Sequence, residues 1–293
     1  MRVISTAGCS LLLATLFMVA FISNATPEAG EWSYCNQSNA SGPSFSTVLI
    51  PVEEIDLSDR SDIIIDISPR SAEYIPGAIS IPYDRFIDPG GRLEPISQVA
   101  GILGEAGISE NDSIIIYGEC QPCGGGPSAA TYVFWILKYL GHEDVRLLDG
   151  GIDDWVAGAK PTAPEPERLA PRNYTPSIDA DLLATYDFVC DSSPQIIDAR
   201  TGKEFEAGSI PGAINIPYTS VLEGKRLRNQ SELNELFRDL QKDNSVVVYT
   251  NTGVKASMIW LPLTILGYDA RIYAWQDWTA DHSSMDCQRS GHL

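Results

Sequence analysis

Residues 75–83 read Ile-Pro-Gly-Ala-Ile-Ser-Ile-Pro-Tyr, and residues 210–218 read Ile-Pro-Gly-Ala-Ile-Asn-Ile-Pro-Tyr. Eight of nine residues match, at an offset of 135. The echo continues outward. Asp66 returns as Asp198 and Tyr117 as Tyr249, both at offset 132, Gly141 returns as Gly267 at 126, and Trp155 as Trp278 at 123. Such a period is far longer than the roughly 20–50 residues of a solenoid repeat. Two homologous domains are the economical explanation. Within the first copy, apolar runs at 63–66, 114–117 and 145–148 read as strands, and 97–106 and 129–140 read as helices. Strands separated by helices imply an α/β fold in each copy, a central parallel β-sheet flanked by α-helices.

The pattern divides the chain. Residues 1–25 have one charge, Arg2, then a twelve-residue apolar core from Leu11 to Ile22 and the small residues Ser23-Asn24-Ala25. They read as a signal peptide. The expectation is an exported, extracytoplasmic protein, secreted or tethered at the cell surface, with a membrane as partner only if this segment is retained. Residues 26–46 read as an extended arm and 47–160 as the first domain. Residues 161–173 are a Pro-rich linker, stiff because helices and sheets both reject proline. Residues 174–282 are the second domain, and 283–293 a tail.

At 293 residues and 44% hydrophobic, the chain can build two cores. Its net charge of −19 disfavours nucleic acid and anionic membrane surfaces as partners. Removing the signal leaves Cys35, Cys120, Cys123, Cys190 and Cys287. An odd count in an oxidising compartment leaves at least one thiol unpaired within the chain.

The two copies differ most between strand and helix. Tyr117 to Gly141 spans 24 positions, but Tyr249 to Gly267 spans 18. The six extra residues fall in Cys120-Gln121-Pro122-Cys123-Gly124-Gly125-Gly126, where the second copy has Thr250-Asn251-Thr252-Gly253-Val254-Lys255 and no cysteine. A thiol at a helix entrance faces outward-pointing amides and is pushed toward thiolate. An ordinary cysteine, with pKa about 8.5, is only about 3% thiolate at neutral pH. Glycines let a loop curl its amides around the sulfur. Cys123 is therefore read as a nucleophile. Cys120 is read either as its resolving partner or as half of a Cys120–Cys123 disulfide. A lone C-x-x-C lacks the further ligands that zinc needs, and no cofactor is expected. Trp155, Trp275 and Trp278 read as core, His142, His282 and His292 as surface or satisfied residues, and Arg200 as an ion-pair partner.

Asp198-Ala199-Arg200, Glu204-Phe205 and Gly208-Ser209-Ile210-Pro211-Gly212-Ala213 resemble the signatures of the rhodanese (thiosulfate sulfurtransferase) family in its tandem form. Leu148-Asp149-Gly150-Gly151 with Trp155, and Trp275 with Trp278, are similar to its closing motifs. The resemblance implies a sulfurtransferase that moves a sulfane sulfur from thiosulfate or a persulfide to a thiophilic acceptor through a Cys123 persulfide. Small-molecule or thiol donors and acceptors are then the partners. It implies substrate contacts from Gly124, Gly125, Gly126 and Ser128 in the family's six-residue loop. That loop departs from the family by sitting in the first domain and by lacking Arg or Lys, so Arg70 and Lys255 are the candidates for positive charge. Two alternatives stay open: a thiol–disulfide oxidoreductase using Cys120 and Cys123, and an inactive rhodanese-like binding scaffold.

Overall fold

The computed structural model describes residues 44–58, 61–119 and 126–284. In the first half, β1 (Leu49–Pro51), β2 (Asp62–Asp66), β3 (Ile79–Ser80), β4 (Ser113–Tyr117) and β5 (Val145–Asp149) form one sheet in the order β1-β5-β4-β2-β3. Every pairing is parallel. Ile114, Ile115 and Ile116 in β4 are all buried, as a strand covered on both faces requires. Its helices are α1 (Phe45–Val48), α2 (Ile96–Glu105), α3 (Ser128–Tyr139) and α4 (Ile152–Ala157).

The second half repeats the plan. Helix α5 (Tyr186–Asp191) leads to β6 (Gln195–Asp198), α6 (Gly202–Ala207) and β7 (Ile214–Asn215). A small antiparallel hairpin of β8 (Leu222–Glu223) and β9 (Arg226–Leu227) follows. Then come α7 (Gln230–Leu236), β10 (Val246–Thr250), α8 (Ser257–Ile265), β11 (Ala270–Ala274) and α9 (Trp275–Ser284). The sheet order is β11-β10-β6-β7, all parallel. Both sheets and their flanking helices match the expected α/β class. The five elements expected in the first copy lie within one residue of the observed ends. Strands β1 and β3 were not expected. They are too short to show periodicity, and β3 lies inside the Ile-Pro-Gly-Ala-Ile block itself.

Residues 161–173 form a strap bound to the first sheet's domain. Tyr74 and Ala163 exchange backbone hydrogen bonds of 2.8 Å, Glu167 N donates to Ala78 O at 2.7 Å and Arg172 N to Gly104 O at 2.8 Å. The close approach needs glycine beneath it: a Cβ at Gly107 would lie 2.4 Å from Leu169 Cβ. The proline-rich composition removes helix and sheet without removing attachment. The expected arm boundary at residue 46 falls inside α1, and the rest of that arm, the signal and the tail from residue 285 lie outside the described residues.

The two halves meet about a pseudo-twofold axis. Thr131 Oγ1 and Ser257 Oγ hydrogen-bond at 2.8 Å, and the Phe134 and Trp260 rings tilt together at 6.3 Å. Both pairs are 126 positions apart, the offset of Gly141 and Gly267. In a two-fold arrangement, a residue touches its own equivalent only at the axis. Helices α3 and α8 therefore face each other across it, each entered through the loop that distinguishes the copies.

Candidate functional site

Equivalent tyrosines, Tyr117 as the last residue of β4 and Tyr249 as the last but one of β10, anchor the repeated block. Ile75 N donates to Tyr117 Oη at 3.2 Å, and Ile210 N to Tyr249 Oη at 3.1 Å. This is why the block and the distant tyrosine recur together. After each tyrosine the chain turns toward a helix. In the second domain Thr250 ends the strand and Gly253 turns with φ +85°. In the first, Gly126 turns with φ +76°. Cys123 stands three residues before Gly126 just as Thr250 stands three before Gly253. Cys120, Cys123, Gly124 and Gly125 lie outside the described residues, so the site is built from its two flanks.

On the entry flank, Gly118 approaches Ser68 and Asp66 so closely that a Cβ would lie 2.7 Å from Ser68 Oγ. Glu119 N donates to that oxygen at 3.1 Å. On the exit flank, Pro127 O accepts from Thr131 N at 2.8 Å, and Ser128 opens α3. Ser128 is buried, and its hydroxyl has no hydrogen-bond partner among the described residues.

The second domain reaches over both flanks. Leu222 Cδ1 lies 4.0 Å from where a Cβ on Gly126 would be. Lys225 Nζ donates to both Glu119 oxygens at 3.0 Å and to Asp153 Oδ2 at 3.2 Å. Arg226 Nη2 donates to Asp154 Oδ1 at 2.7 Å, and its Nη1 lies 3.6 Å from Asp149 Oδ2. A cavity of about 30 Å³ between them is lined by Glu119, Gly126, Asp149, Asp154, Lys225 and Arg226. Four carboxylates thus face two cations. Burial lifts the Asp149 carboxyl above its usual range against the pull of Arg226. Burial also pushes Asp154 up, but its bonds to Arg226 and to the Gly151 N–H win and hold it low. Hydrogen bonds to Glu119 and Asp153 raise the Lys225 ammonium, keeping it charged.

Neither of the two expected cations lines this cavity. Arg70 is exposed in the turn after β2 and does not line this cavity. Lys255 sits at the second domain's loop, bonded to Tyr218 Oη at 3.1 Å. Sequence reasoning missed Lys225 and Arg226. A signal existed, because Arg92-Leu93 recurs as Arg226-Leu227 at offset 134, one residue short of the block's offset. The hairpins are indeed equivalent: Ile87 bridges Leu93 antiparallel as Leu222 pairs with Leu227. Arg92 Nε donates to Asp277 Oδ1 at 3.0 Å across the pseudo-axis, as Arg226 does to Asp154.

The remaining expectations follow the fold. Trp155 and Trp278 are buried, and His142 is a satisfied core residue between Tyr174 Oη and Asp112 O. Trp275 instead stacks on the Arg200 guanidinium, 4.3 Å from its ring centroid. Arg200 is an ion-pair partner: its Nη2 lies 2.6 Å from Asp198 Oδ2. Among the described residues, no cluster of His, Cys, Asp and Glu could hold a metal ion, and no helix is long and apolar enough to cross a membrane.

Comparison with known proteins finds the rhodanese-like domain twice, over residues 53–158 and 184–281. A Corynebacterium glutamicum thiosulfate sulfurtransferase is 27% identical over 256 residues, covering 75% of this chain and 80% of that protein. A Mycobacterium bovis protein carrying the thiosulfate sulfurtransferase name SseA is 30% identical over 250 residues, with the same coverage. In structure, the chain is similar to the 3-mercaptopyruvate sulfurtransferase SseA from Escherichia coli. The TM-score is 0.69 at 23% identity, over 78% of this chain and 99% of that one.

Proposed function

Because this chain belongs to the rhodanese family, we propose that it is a sulfurtransferase carrying a sulfane sulfur on Cys123. The observation that carries this reading is the pairing of Cys123 with Thr250: of two equivalent strand-to-helix loops, only the first domain's carries a thiol. The thiolate attacks the sulfane sulfur of the donor. A Cys–S bond forms, the donor's bond to that sulfur breaks, and its electron pair leaves with sulfite or a thiolate. An acceptor nucleophile then takes the outer sulfur, and the Cys123 thiolate leaves. No net electrons or protons are required, and turnover is ping-pong. Amides of the glycine-rich loop would stabilise the persulfide anion.

The flanks of the loop favour a donor of low charge. Four carboxylates against two cations repel a dianion such as thiosulfate, so a thiol persulfide suits this mouth better. We further propose that residues 1–25 direct export and are followed by an arm, so that transfer takes place outside the cytoplasm.

The test is mass spectrometry after exposure to a sulfur donor. Fragment ions should place one added sulfur on Cys123, and Cys123→Ser should abolish transfer while preserving the fold. Sulfur found only on Cys120 would reverse the roles of the two cysteines. Sulfur on neither would return the chain to a binding scaffold, and reduction of a disulfide substrate would favour the oxidoreductase.

A further inference from the structure

The second domain's loop carries no thiol but borders a cavity. About 340 Å³ opens at the end of β10, lined by Tyr83, Ile87, Tyr218, Thr250, Val254 and Lys255 among others. Two polar groups there are not accounted for by the fold. Thr250 is 5% exposed, and its hydroxyl is buried with no hydrogen-bond partner. An orphaned buried hydroxyl costs on the order of 1–3 kcal/mol, so such groups call for an explanation. Lys255 is half-buried, and its ammonium touches only the Tyr218 hydroxyl and, 4.5 Å away, the face of that ring. Among the described residues it has no carboxylate within ion-pair distance, in a chain carrying −19.

The other charges at this cavity are spoken for. Arg200 is matched by the buried Asp198. Glu204 accepts from Thr201 N, Thr201 Oγ1 and Asn251 Nδ2. These bonds hold its carboxyl below the usual range. Among the described residues, Lys255 is the cation of the lining without an acidic counterpart. The wall beside it is apolar and aromatic, from Ile87 and Tyr83 of the first domain to Tyr218 and Val254 of the second. A bare inorganic ion would leave that wall uncovered and would fill little of the volume.

We infer that this cavity is a second, non-catalytic binding site for a small organic anion. Its carboxylate or sulfonate head pairs with Lys255 and satisfies Thr250, and its flat or apolar body lies against Tyr83, Tyr218, Ile87 and Val254. The loop bears no thiol, so the ligand is held and not transformed. The site is independent of the sulfur-carrying role of Cys123.

Calorimetric titration of the full chain with benzoate, benzenesulfonate and inorganic sulfate tests this. Benzoate or benzenesulfonate should bind saturably at one site, at least about tenfold more tightly than sulfate. Affinity should be the same in Cys123→Ser, which separates this site from the thiol. Lys255→Met should weaken binding about tenfold or more, and Lys255→Arg should largely restore it. Thr250→Val keeps the shape and should weaken binding several-fold, which keeps the proposal testable if Lys255→Met folds poorly. Absence of saturable binding, unchanged affinity in Lys255→Met or Thr250→Val, or sulfate binding as tightly as benzoate would each overturn it.

Discussion

Asp66 and Asp198 end equivalent strands, β2 and β6, and are 1% and 0% exposed. Their surroundings are opposite. Asp198 faces Arg200 through its Nε and Nη2, and Tyr249 Oη donates to it at 2.6 Å. The guanidinium is in turn layered against Trp275 and Tyr249. Asp66 has serines instead: Ser68 N donates at 2.9 Å, and Ser71 Oγ donates to the other oxygen. The domain with the buried ion pair is the one whose loop carries no thiol. In the first domain the clasp is neutral, and it lies against Gly118 on the entry flank, where a Cβ would meet both Asp66 and Ser68. The two copies thus hold equivalent aspartates by different means, a charge network in the second domain and uncharged donors in the first.

The largest expected effect comes from breaking the charged clasp. Arg200→Met leaves Asp198 buried without a cation, and removal of one member of such a pair typically costs about 3–5 kcal/mol. Urea unfolding should show a loss of that order. An unchanged midpoint would mean that burial of Asp198 is relieved by another route, and the contrast with Asp66 would lose its meaning.

The neutral clasp predicts a smaller effect of opposite sign. Burial pushes the Asp66 carboxyl above its ordinary pKa of 3.8, and the serine bonds only partly offset this. The folded state therefore holds the proton more tightly than the unfolded state. Its contribution to stability is full below the ordinary pKa and declines as pH rises through the raised folded value. Asp66→Asn removes the decline and retains acceptor and donor for Ser68 and Ser71. The variant should gain on the wild type near neutral pH and show no advantage near pH 3. A variant less stable than the wild type at neutral pH would show that the ionised carboxylate is the stabilising form.

Parts of this contrast are legible in the sequence, and the reason is distance along the chain. Ile63–Asp66 and Ile114–Tyr117 announce strands because each is a local run, and the repeated block reports itself by identity. The Cys123–Thr250 difference is visible from spacing alone. Lys225 is not, because its partner Glu119 lies 106 positions away and Arg92 lies 185 from Asp277. No periodicity encodes a contact across a pseudo-axis. The strap fails for a related reason: five prolines in residues 158–176 exclude helix and sheet, but say nothing of the glycine surfaces the strap lies on.

Charge at the two loops should also separate them kinetically. With four carboxylates and two cations beside the first loop, added salt should lower the Michaelis constant for thiosulfate by roughly two- to threefold as repulsion is screened. A sulfur donor with no net charge should show no such trend. A Michaelis constant that rises with salt would point to net positive capture, contrary to the acidic mouth.

The smallest stability effects are expected at the two cross-domain ion pairs. Arg92–Asp277 and Arg226–Asp154 are equivalent by sequence offset, similar in exposure and similar in length. Each is a partly exposed pair worth at most about 1 kcal/mol. Arg92→Ala and Arg226→Ala should therefore shift unfolding by similar small amounts. Their effects on sulfur transfer should differ. Arg226 holds Asp154 and Asp149 beside Gly126, and its loss leaves those carboxylates uncompensated at the mouth of the thiol loop. Arg226→Ala should weaken use of thiosulfate several-fold, more at low salt than at high. Arg92→Ala acts on the thiol-free side and should leave transfer unchanged. Equal kinetic effects from the two variants would mean that the hairpins only hold the domains together and that the second domain has no part in the first domain's chemistry.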